Sequence, residues 1–309
     1  MDTLEFKKDV YNWIKELHKR WRGKRSALPE LVYHYTTAEG IIGILSSKMI
    51  RATHIRYLND RSELIYPLEL IQKSLNACVD VLGTTFIKLV FDQLKNIDLY
   101  VVSFAKKRGA ASFDEAGDLL SQWRAYGKNG FAIGVETTKI NKTGDGLFFI
   151  EIEYEKKKQE EHIIAVIGQA TALLKKYTEP GGKGIPAKHL FKISEILVKH
   201  FSPHCLLSFK HPTFSEEQEC RAAYFAHPID NIKVRATKDG IVVPYLDLIN
   251  ISQSLEQNQS QYNWMPLKEI IVRPNTDQIL AKKSLEVLLK ENGFKDVKIK
   301  PSDIPYVKW

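Results

Sequence analysis

Apolar residues recur at spacings of three and four at the start of the chain, with charged residues between them. They are Phe6, Val10, Tyr11, Trp13, Ile14, Leu17 and Trp21. This period puts them on one face of an α-helix. We therefore predict an amphipathic helix over about residues 3–22, which ends in the basic stretch Lys19–Arg25.

The pattern then changes to a short β-prone run at Leu31–Tyr35, which we interpret as a buried strand. A helix is predicted to follow at once. Thr36 can accept a hydrogen bond from the first helical turn, and Glu39 can reach back to the cap, which is the capping-box signature. Met49–Thr53 predicts a second strand.

Later segments alternate between helix-like and strand-like patterns. A second capping box at Asp60 and Glu63 predicts a long helix. The further predicted strands are Leu99–Phe104, Phe131–Val135, Leu147–Ile152, Cys205–Phe209, Cys220–Phe225, Ile232–Arg235, Ile241–Val243 and Glu269–Val272. The further predicted helices are Asp118–Tyr126, a charged helix that ends near Tyr177, Lys188–His200 and a helix capped by Asn275.

These elements predict one α+β domain over residues 1–309. We expect an N-terminal helix at about 3–22 and a helical insertion at about 155–200. A strand–helix–strand extension is expected at about 266–309. The 14 Phe, 13 Tyr and 5 Trp residues can fill a sizeable core, which argues against a disordered chain.

Composition also bounds the compartment and the partners. Met1–Val10 carries acids and lysines where a signal peptide needs apolar residues, and no run of about 18 apolar residues follows. The three cysteines are too few for a disulfide framework. We expect a cytoplasmic protein without a membrane partner. The net charge of +8 favours an anionic partner, although the basic residues are spread along the chain.

The first candidate for chemistry is the run Tyr33, His34, Tyr35 and Thr36, where a strand delivers a histidine to the start of a helix. Free N–H groups and a partial positive charge at that end favour a phosphate or ribose. Alternatively, His34 is hydrogen-bonded into the core and has no function.

The second candidate is the acidic cluster Glu216, Glu217 and Glu219, which precedes a predicted strand. If the segment is extended, Glu217 and Glu219 point the same way. Such carboxylates can bind ribose hydroxyls and stabilise an oxocarbenium-like transition state. Alternatively, the cluster is an exposed turn, or Glu219 forms a salt bridge with Arg221 or Arg124.

Two weaker candidates remain. The block Ser121–Gly127 concentrates Trp, Arg, Tyr and Gln, which can cradle an aromatic ring and a phosphate, but its aromatic residues can equally belong to the core. His200 and His204 have the spacing of paired metal ligands. Because Pro203 is expected to break the helix that would align them, we predict no metal site.

Four blocks of the sequence resemble those of a bacterial family of uncharacterised proteins. They are YHYT at 33–36, YLND at 57–60, SQWRAYG at 121–127 and EQECR at 217–221. Residues 266–274 and 304–306 fit this family in part. The family in turn is distantly similar to the ADP-ribosyltransferase superfamily of the His-Tyr-Glu type, in which an early strand carries a His-x-Thr element and a late strand carries a catalytic Glu.

This resemblance implies an α+β fold with a split antiparallel sheet surrounded by helices, and NAD as the substrate. His34 and Thr36 match the first element, and Glu219, preceded by Glu217, matches the last. Tyr57 and Tyr126 are alternatives for the central aromatic residue.

The resemblance also implies roles for these residues. His34, Tyr35 and Thr36 would seat the adenosine ribose, and Glu219 would hold the nicotinamide ribose. Glu217 would orient the acceptor. The guanidinium of Arg51, Arg56 or Arg124 would meet the pyrophosphate, because its planar geometry suits that group.

The expected function is an NAD-dependent ADP-ribosyltransferase, as a toxin or phage-defence effector, that modifies a protein, RNA or DNA and releases nicotinamide. An antitoxin or regulatory partner would accompany such an activity. Two alternatives stay open: a nucleic-acid or nucleotide-binding protein without transferase activity, and a metal-independent nuclease that uses His34 and a carboxylate.

Overall fold

The computed structural model describes residues 3–22, 29–58, 62–106, 117–126, 130–138, 147–177, 186–237, 240–254, 263–274 and 277–305. Several predictions fall on other residues and lie outside this part of the chain. They are the cap at Asp60, most of the loop between Ala105 and Gly117, and the turn around Gly144 and Gly146. The cap predicted at Asn275 is wrong by two residues, because Asp277 caps that helix and its Oδ1 accepts from the Leu280 N–H at 3.0 Å.

The helices of the described residues, in chain order, are α1 (Thr3–Arg22), α2 (Ala38–Ser47), α3 (Ser62–Asn76), α4 (Val79–Leu82), α5 (Thr84–Lys95), α6 (Leu120–Ala125), α7 (Lys156–Tyr177), α8 (Ala187–Phe201) and α9 (Gln278–Glu291). The strands are β1 (Leu31–Thr37), β2 (Met49–His54), β3 (Leu99–Ala105), β4 (Gly130–Glu136), β5 (Leu147–Glu151), β6 (Glu219–Phe225), β7 (Lys233–Ala236), β8 (Val242–Asn250), β9 (Asn263–Trp264), β10 (Leu267–Val272) and β11 (Lys298–Pro301). The predicted α+β class is confirmed.

Contacts divide the chain into two compact units. Unit 1 comprises Met1–Ser26, Leu58–Asp98 and Ile150–Phe214, and unit 2 comprises Ala27–Tyr57, Leu99–Phe149 and Ser215–Trp309. The N-terminal helix and the predicted insertion at 155–200 both belong to unit 1, together with α3, α4 and α5. The single-domain organisation stays a prediction.

Unit 1 is built from helices around one apolar core. The predicted N-terminal helix is confirmed, and α1 buries Phe6, Val10, Trp13 and Leu17. Glu63, in the first turn of α3, forms a buried ion pair with Lys210, whose Nζ lies 2.9 Å from Glu63 Oε1. Buried charges need such a partner, because an isolated ion loses its hydration.

The predicted strand Cys205–Phe209 is wrong. Residues Ser202–Leu206 form a π-helical turn that continues α8, and the Leu207 N–H donates to Ser202 O. Of the predicted strand only Phe209 makes a bridge, to Glu153. Cys205, Leu206 and Leu207 are fully buried. A short apolar run can be buried in a helical turn as well as in a strand, so its composition did not distinguish the two.

The sheet lies almost wholly in unit 2 and has the order β11-β10-β4-β1-β3-β2-β8-β7, with β6 paired to β3 and β5 and with β9 paired to β8. Most neighbours are antiparallel, as predicted, but β10 pairs with β11 and β8 with β9 in parallel. The sheet is therefore mixed. The apolar core of unit 2 draws on β1, α2 and β3 and includes Val32, Leu45, Val102 and Phe104.

Strand β3 has different neighbours along its two edges. One edge pairs with β6 over its whole length, from Leu99↔Phe225 to Ala105↔Glu219. The other edge pairs with β2 at Tyr100 and Val101 and with β1 at Ala105. Strands β1 and β2 thus separate along one edge of β3, on either side of Ser103.

Candidate functional site

The separation of β1 and β2 leaves an opening at Ser103, and this opening is the candidate site. Ser103 is exposed, whereas the other residues of β3 are buried. The Lys106 N–H donates to Gln218 O of the segment before β6, so the even-numbered residues of β3 direct their N–H and C=O groups toward β6. The polar backbone groups of Ser103 therefore point toward the opening.

His34 of β1 contacts this opening. Its Nδ1 lies 3.1 Å from Ser103 O, and its ring meets Phe104 edge-on with 5.9 Å between the ring centroids. Because a carbonyl oxygen only accepts, Nδ1 carries the hydrogen in this bond and Nε2 of the neutral ring is an acceptor.

The neutral form of His34 is also favoured by its surroundings. Desolvation lowers the pKa of the His34 imidazole below its ordinary value of 6.5, and the bond to the Ser103 carbonyl opposes this shift only in part. His34 thus presents Nε2 as a hydrogen-bond acceptor near neutral pH.

Glu219 begins β6 and is buried beside Arg221. Arg221 Nε lies 2.6 Å from Glu219 Oε1, and Arg221 Nη2 lies 3.1 Å from Oε2. The guanidinium is fully buried and the carboxylate is 4% exposed. Such a bidentate pair compensates the charge of the carboxylate and fixes its orientation. The predicted salt bridge of Glu219 with Arg221, which was one of the alternatives, is present.

Glu217 does not share the strand of Glu219. Residues Pro212–Glu217 form a 3-10 helix, and Gln218 follows with a φ of 46° before β6 begins at Glu219. The expectation of an extended segment, in which both carboxylates point the same way, is wrong. The left-handed Gln218 turns the chain between them. Glu217 is held instead through its carbonyl, which accepts from Gln122 Nε2 at 3.5 Å.

The strand register assigns the candidate side chains to two faces of the sheet. Two residues that are paired across neighbouring strands point to the same face of the sheet. The pairs Tyr33↔Ala105 and Ala105↔Glu219 therefore place the side chains of Tyr33 and Glu219 on the same face. We call this side, with Ser103 and Arg221, the Glu219 face. His34 points to the opposite side with Phe104, which we call the His34 face. His34 and Glu219 therefore point to opposite faces of the sheet.

Tyr35 and Thr36 have structural contacts that the sequence did not predict. The Tyr35 hydroxyl accepts from the Leu119 N–H at 2.9 Å, and its ring meets Trp123 edge-on. Burial raises the pKa of Tyr35 well above its ordinary value. Thr36 is still part of β1. The cap of α2 is Thr37, whose Oγ1 accepts from the Gly40 N–H at 3.1 Å, so the predicted cap is wrong by one residue.

Glycines allow the close approach of neighbours to Thr36. A Cβ on Gly130 would lie 1.8 Å from Thr36 O, and one on Gly40 would lie 2.0 Å from Thr36 Oγ1. A larger residue at Gly130 would force the backbone of β1 away from β4, and a larger residue at Gly40 would displace the Thr36 side chain. The position of Thr36, two residues after His34 on β1, therefore depends on these glycines.

Arg51 and Tyr57 occupy different surroundings. Arg51 pairs with Asp247 across β2 and β8, with 3.7 Å between Nε and Oδ1, and lies over the Tyr245 ring. The register places it on the Glu219 face. Tyr57 is 42% exposed and meets His54 edge-on, and His54 pairs with Tyr100 on the His34 face.

Arg124 and Tyr126 belong to α6 and its end. Arg124 is exposed, and the Tyr126 N–H donates to Gln122 O, which ends the helix. Tyr126 packs against the cluster of Tyr33, Tyr35 and Trp123, so its place is on the Glu219 face. Trp123 itself is core, which was one of the two interpretations of this block. Tyr57 and Tyr126 thus lie on different faces.

Asp118 forms hydrogen bonds with both α6 and the C-terminal segment. Its Oδ1 accepts from Trp123 Nε1 and from Ser302 Oγ, both at 2.6 Å. Its Oδ2 accepts from the Asp303 N–H at 2.8 Å. The block 121–127 is therefore positioned by a carboxylate that was not among the sequence-based candidates.

The pair His200 and His204 lies in unit 1, in a cluster of buried imidazoles. His200 Nε2 is 3.1 Å from His162 Nε2, and the rings of His200 and His204 are 4.4 Å apart. In the part of the chain that the structure describes, no group of three His, Cys, Asp or Glu side chains could hold a metal ion. Nor is any helix there long and apolar enough to cross a membrane.

Part of the chain matches a known family model. Residues 122–222 match a family model described as a protein of unknown function (DUF2971). The match includes most of the SQWRAYG block and the whole EQECR block, which supports the predicted likeness to an uncharacterised family. No curated protein and no solved structure matches the chain. Nothing in these comparisons links the chain to ADP-ribosyltransferases, so that part of the resemblance stays a prediction.

Ser103, the residue at the centre of the opening, was not among the sequence-based candidates. The sequence does contain a feature that could have identified it, because Ser103 is a polar residue within the apolar run Leu99–Ala105. A lone polar residue in a buried strand needs a hydrogen-bonding or solvated place. Here that place is the opening between β1 and β2.

Proposed function

We propose that the chain is an NAD-consuming enzyme of the ADP-ribosyltransferase type and that NAD binds at the opening in the sheet. The observation that carries the proposal is the arrangement at Ser103. A neutral histidine contacts this residue from β1, and a charge-compensated carboxylate lies one strand away on β6.

His34 suits the binding of a ribose. Its Nδ1 is committed to Ser103 O, so Nε2 is oriented and can accept a hydrogen bond from a ribose hydroxyl. The lowered pKa keeps this nitrogen unprotonated near neutral pH. A protonated ring would offer only donors and could not accept a hydrogen bond from the hydroxyl.

Glu219 suits the stabilisation of positive charge on the other ribose. As nicotinamide leaves, the ribose acquires oxocarbenium character, which a fixed carboxylate stabilises electrostatically. Arg221 holds the carboxylate through two hydrogen bonds and so reduces the reorganisation that the reaction would require. Arg51, on the same face, supplies a guanidinium for the pyrophosphate.

The transferred ADP-ribose would go to a protein, RNA or DNA acceptor, and the net charge of +8 favours a nucleic acid among these. A role as a toxin or defence effector, with an antitoxin or regulatory partner, would be consistent with this activity.

The experiment is nicotinamide release from NAD by three forms of the protein: wild type, Glu219→Gln and Glu216→Gln. Gln keeps the shape of the side chain and can still accept from Arg221. Glu216 belongs to the same acidic segment, so its variant controls for the loss of one negative charge. We expect release from the wild type and from Glu216→Gln, and a loss of about 100-fold or more in Glu219→Gln, the scale of one electrostatic catalytic group.

The alternatives give different results in the same experiment. Salt-sensitive binding of RNA or DNA by all three forms, without nicotinamide release, would replace the proposal by a nucleic-acid-binding function. Cleavage of nucleic acid without NAD, lost in His34→Ala, would replace it by a nuclease.

A further inference from the structure

Strand β7 forms one end of the sheet and carries an unusual concentration of exposed apolar side chains. All four residues of β7 are exposed. The large apolar residues exposed in and around the β7–β8 hairpin are Ile229, Ile232, Val234, Ile241 and Val242. In the described part of the chain no strand pairs with the outer edge of β7. Apolar side chains at an open strand edge are a recognised place for another strand to bind.

The register shows which backbone groups of β7 point outward. The Thr237 N–H donates to Ile241 O at 2.8 Å, and Arg235 pairs with Val243. Odd-numbered residues thus form the hydrogen-bonded pairs with β8. Val234 pairs with Pro244, which has no N–H, as expected for a pair without hydrogen bonds. The N–H and C=O groups of Val234 and Ala236 therefore face away from β8.

The charge of β7 selects among occupants of this edge. Lys233 and Arg235 point to one side of the strand, and Val234 points to the other with Val242 and Pro244. Lys233 Nζ already pairs with Asp247 Oδ2 at 2.6 Å, so the charge argument depends on Arg235. A second copy of β7 would bring cations against cations. An incoming strand with acidic residues on one side and apolar residues on the other would instead match both sides.

We infer that β7 is a docking edge for an extended acidic segment of a partner protein, which adds a strand to the sheet. The outward N–H and C=O groups of Val234 and Ala236 form the main-chain hydrogen bonds. Valine-like side chains of the segment lie beside Val234 and Val242, and a carboxylate of the segment faces Arg235. This mode of binding takes affinity from the backbone and specificity from alternate side chains.

The test measures the binding of labelled nine-residue peptides to the full chain by fluorescence anisotropy. One peptide alternates Val and Glu, one alternates Val and Lys, and one is the Val-Glu peptide methylated on alternate backbone nitrogens. We expect the first to bind, with an affinity that falls as salt rises. The other two should bind at least about tenfold more weakly, which is 1.4 kcal/mol.

Two substitutions locate the site. Val234→Pro removes an outward N–H without removing a bond to β8, and Val234→Thr keeps that N–H with a similar shape. We expect Val234→Pro to lose binding of the Val-Glu peptide and Val234→Thr to retain it. Arg235→Glu should also weaken it, and this exposed substitution decides the matter if Val234→Pro fails to fold by circular dichroism.

The inference is overturned if Val234→Pro or Arg235→Glu binds the Val-Glu peptide as tightly as wild type does. It is also overturned if the Val-Lys peptide binds equally well. A wild-type dimer in sedimentation that Val234→Pro dissolves would assign the edge to a second copy instead. None of these outcomes depends on NAD turnover.

Discussion

Removal of the Glu219 carboxylate should destabilise the protein strongly, because it leaves the Arg221 guanidinium buried without this partner. The guanidinium is fully buried and its side chain bonds Glu219 at 2.6 and 3.1 Å. Two unit charges about 4 Å apart attract by roughly 4 kcal/mol at an effective dielectric constant of about 20. Breaking a buried ion pair typically costs about 3–5 kcal/mol. We expect Glu219→Ala to lose that amount of unfolding free energy.

The assay is urea denaturation followed by far-ultraviolet circular dichroism, with the free energy of unfolding obtained by linear extrapolation. A double variant, Glu219→Leu with Arg221→Met, removes both charges and should lose less than Glu219→Ala alone. Glu161→Ala serves as the control, because its ion pair with Lys157 is exposed and should contribute little. A loss of less than about 1 kcal/mol of unfolding free energy in Glu219→Ala would refute the reasoning. It would also be refuted if the double variant lost as much unfolding free energy as the single variants Glu219→Leu and Arg221→Met lose in sum.

The remaining predictions concern His34, two glycines and a helix cap. Folding lowers the pKa of His34, so the unfolded chain binds more protons and the free energy of unfolding should fall as the pH drops below 6.5. The urea midpoint should therefore be lower at about pH 5.5 than at about pH 7.5, and this difference should be smaller in His34→Asn than in wild type. Gly130→Ala should lose about 1–3 kcal/mol or more of unfolding free energy, because its Cβ would overlap Thr36 O. Gly43 lies in α2 and has open space at the position of a Cβ, so Gly43→Ala should instead gain about 0.5–1 kcal/mol of unfolding free energy. Thermal denaturation measures both variants, and the same change in melting temperature for Gly43→Ala and Gly130→Ala would contradict this. Asp277→Ala should lose about 1 kcal/mol, since Asp277 Oδ1 accepts from the Leu280 N–H at the start of α9, and Asp277→Asn should restore most of it.

Local periodicity predicted most of the elements. The apolar spacing of α1 and the β-prone runs of β1, β2 and β3 each depend on a few neighbouring residues, and the structure confirms them. Two of the local predictions that fail have a clear physical reason. Thr36 and Thr37 are adjacent and chemically equivalent as caps, so the sequence could not decide between them. Cys205–Phe209 is apolar in all but one position, and burial alone does not distinguish a strand from a helical turn.

The candidate site depends on contacts that are distant in sequence. Whether His34 and Glu219 share a face is set by the register of β1, β3 and β6, which no local pattern encodes. The Glu217 prediction fails because Gln218 adopts a left-handed conformation, which is rare for residues other than glycine. The opening at Ser103 exists because β1 and β2 pair with opposite ends of β3, and strand pairing over such separations is a property of the whole unit.

The structure of Glu219→Gln with bound NAD tests the central claim most directly, because this variant should bind NAD without consuming it. We expect the dinucleotide at the opening beside Ser103. A ribose hydroxyl should lie within about 3.2 Å of His34 Nε2, and the nicotinamide ribose should lie within the same distance of the side chain at position 219. NAD bound away from Ser103, or no binding at millimolar NAD by a folded protein, would contradict the account.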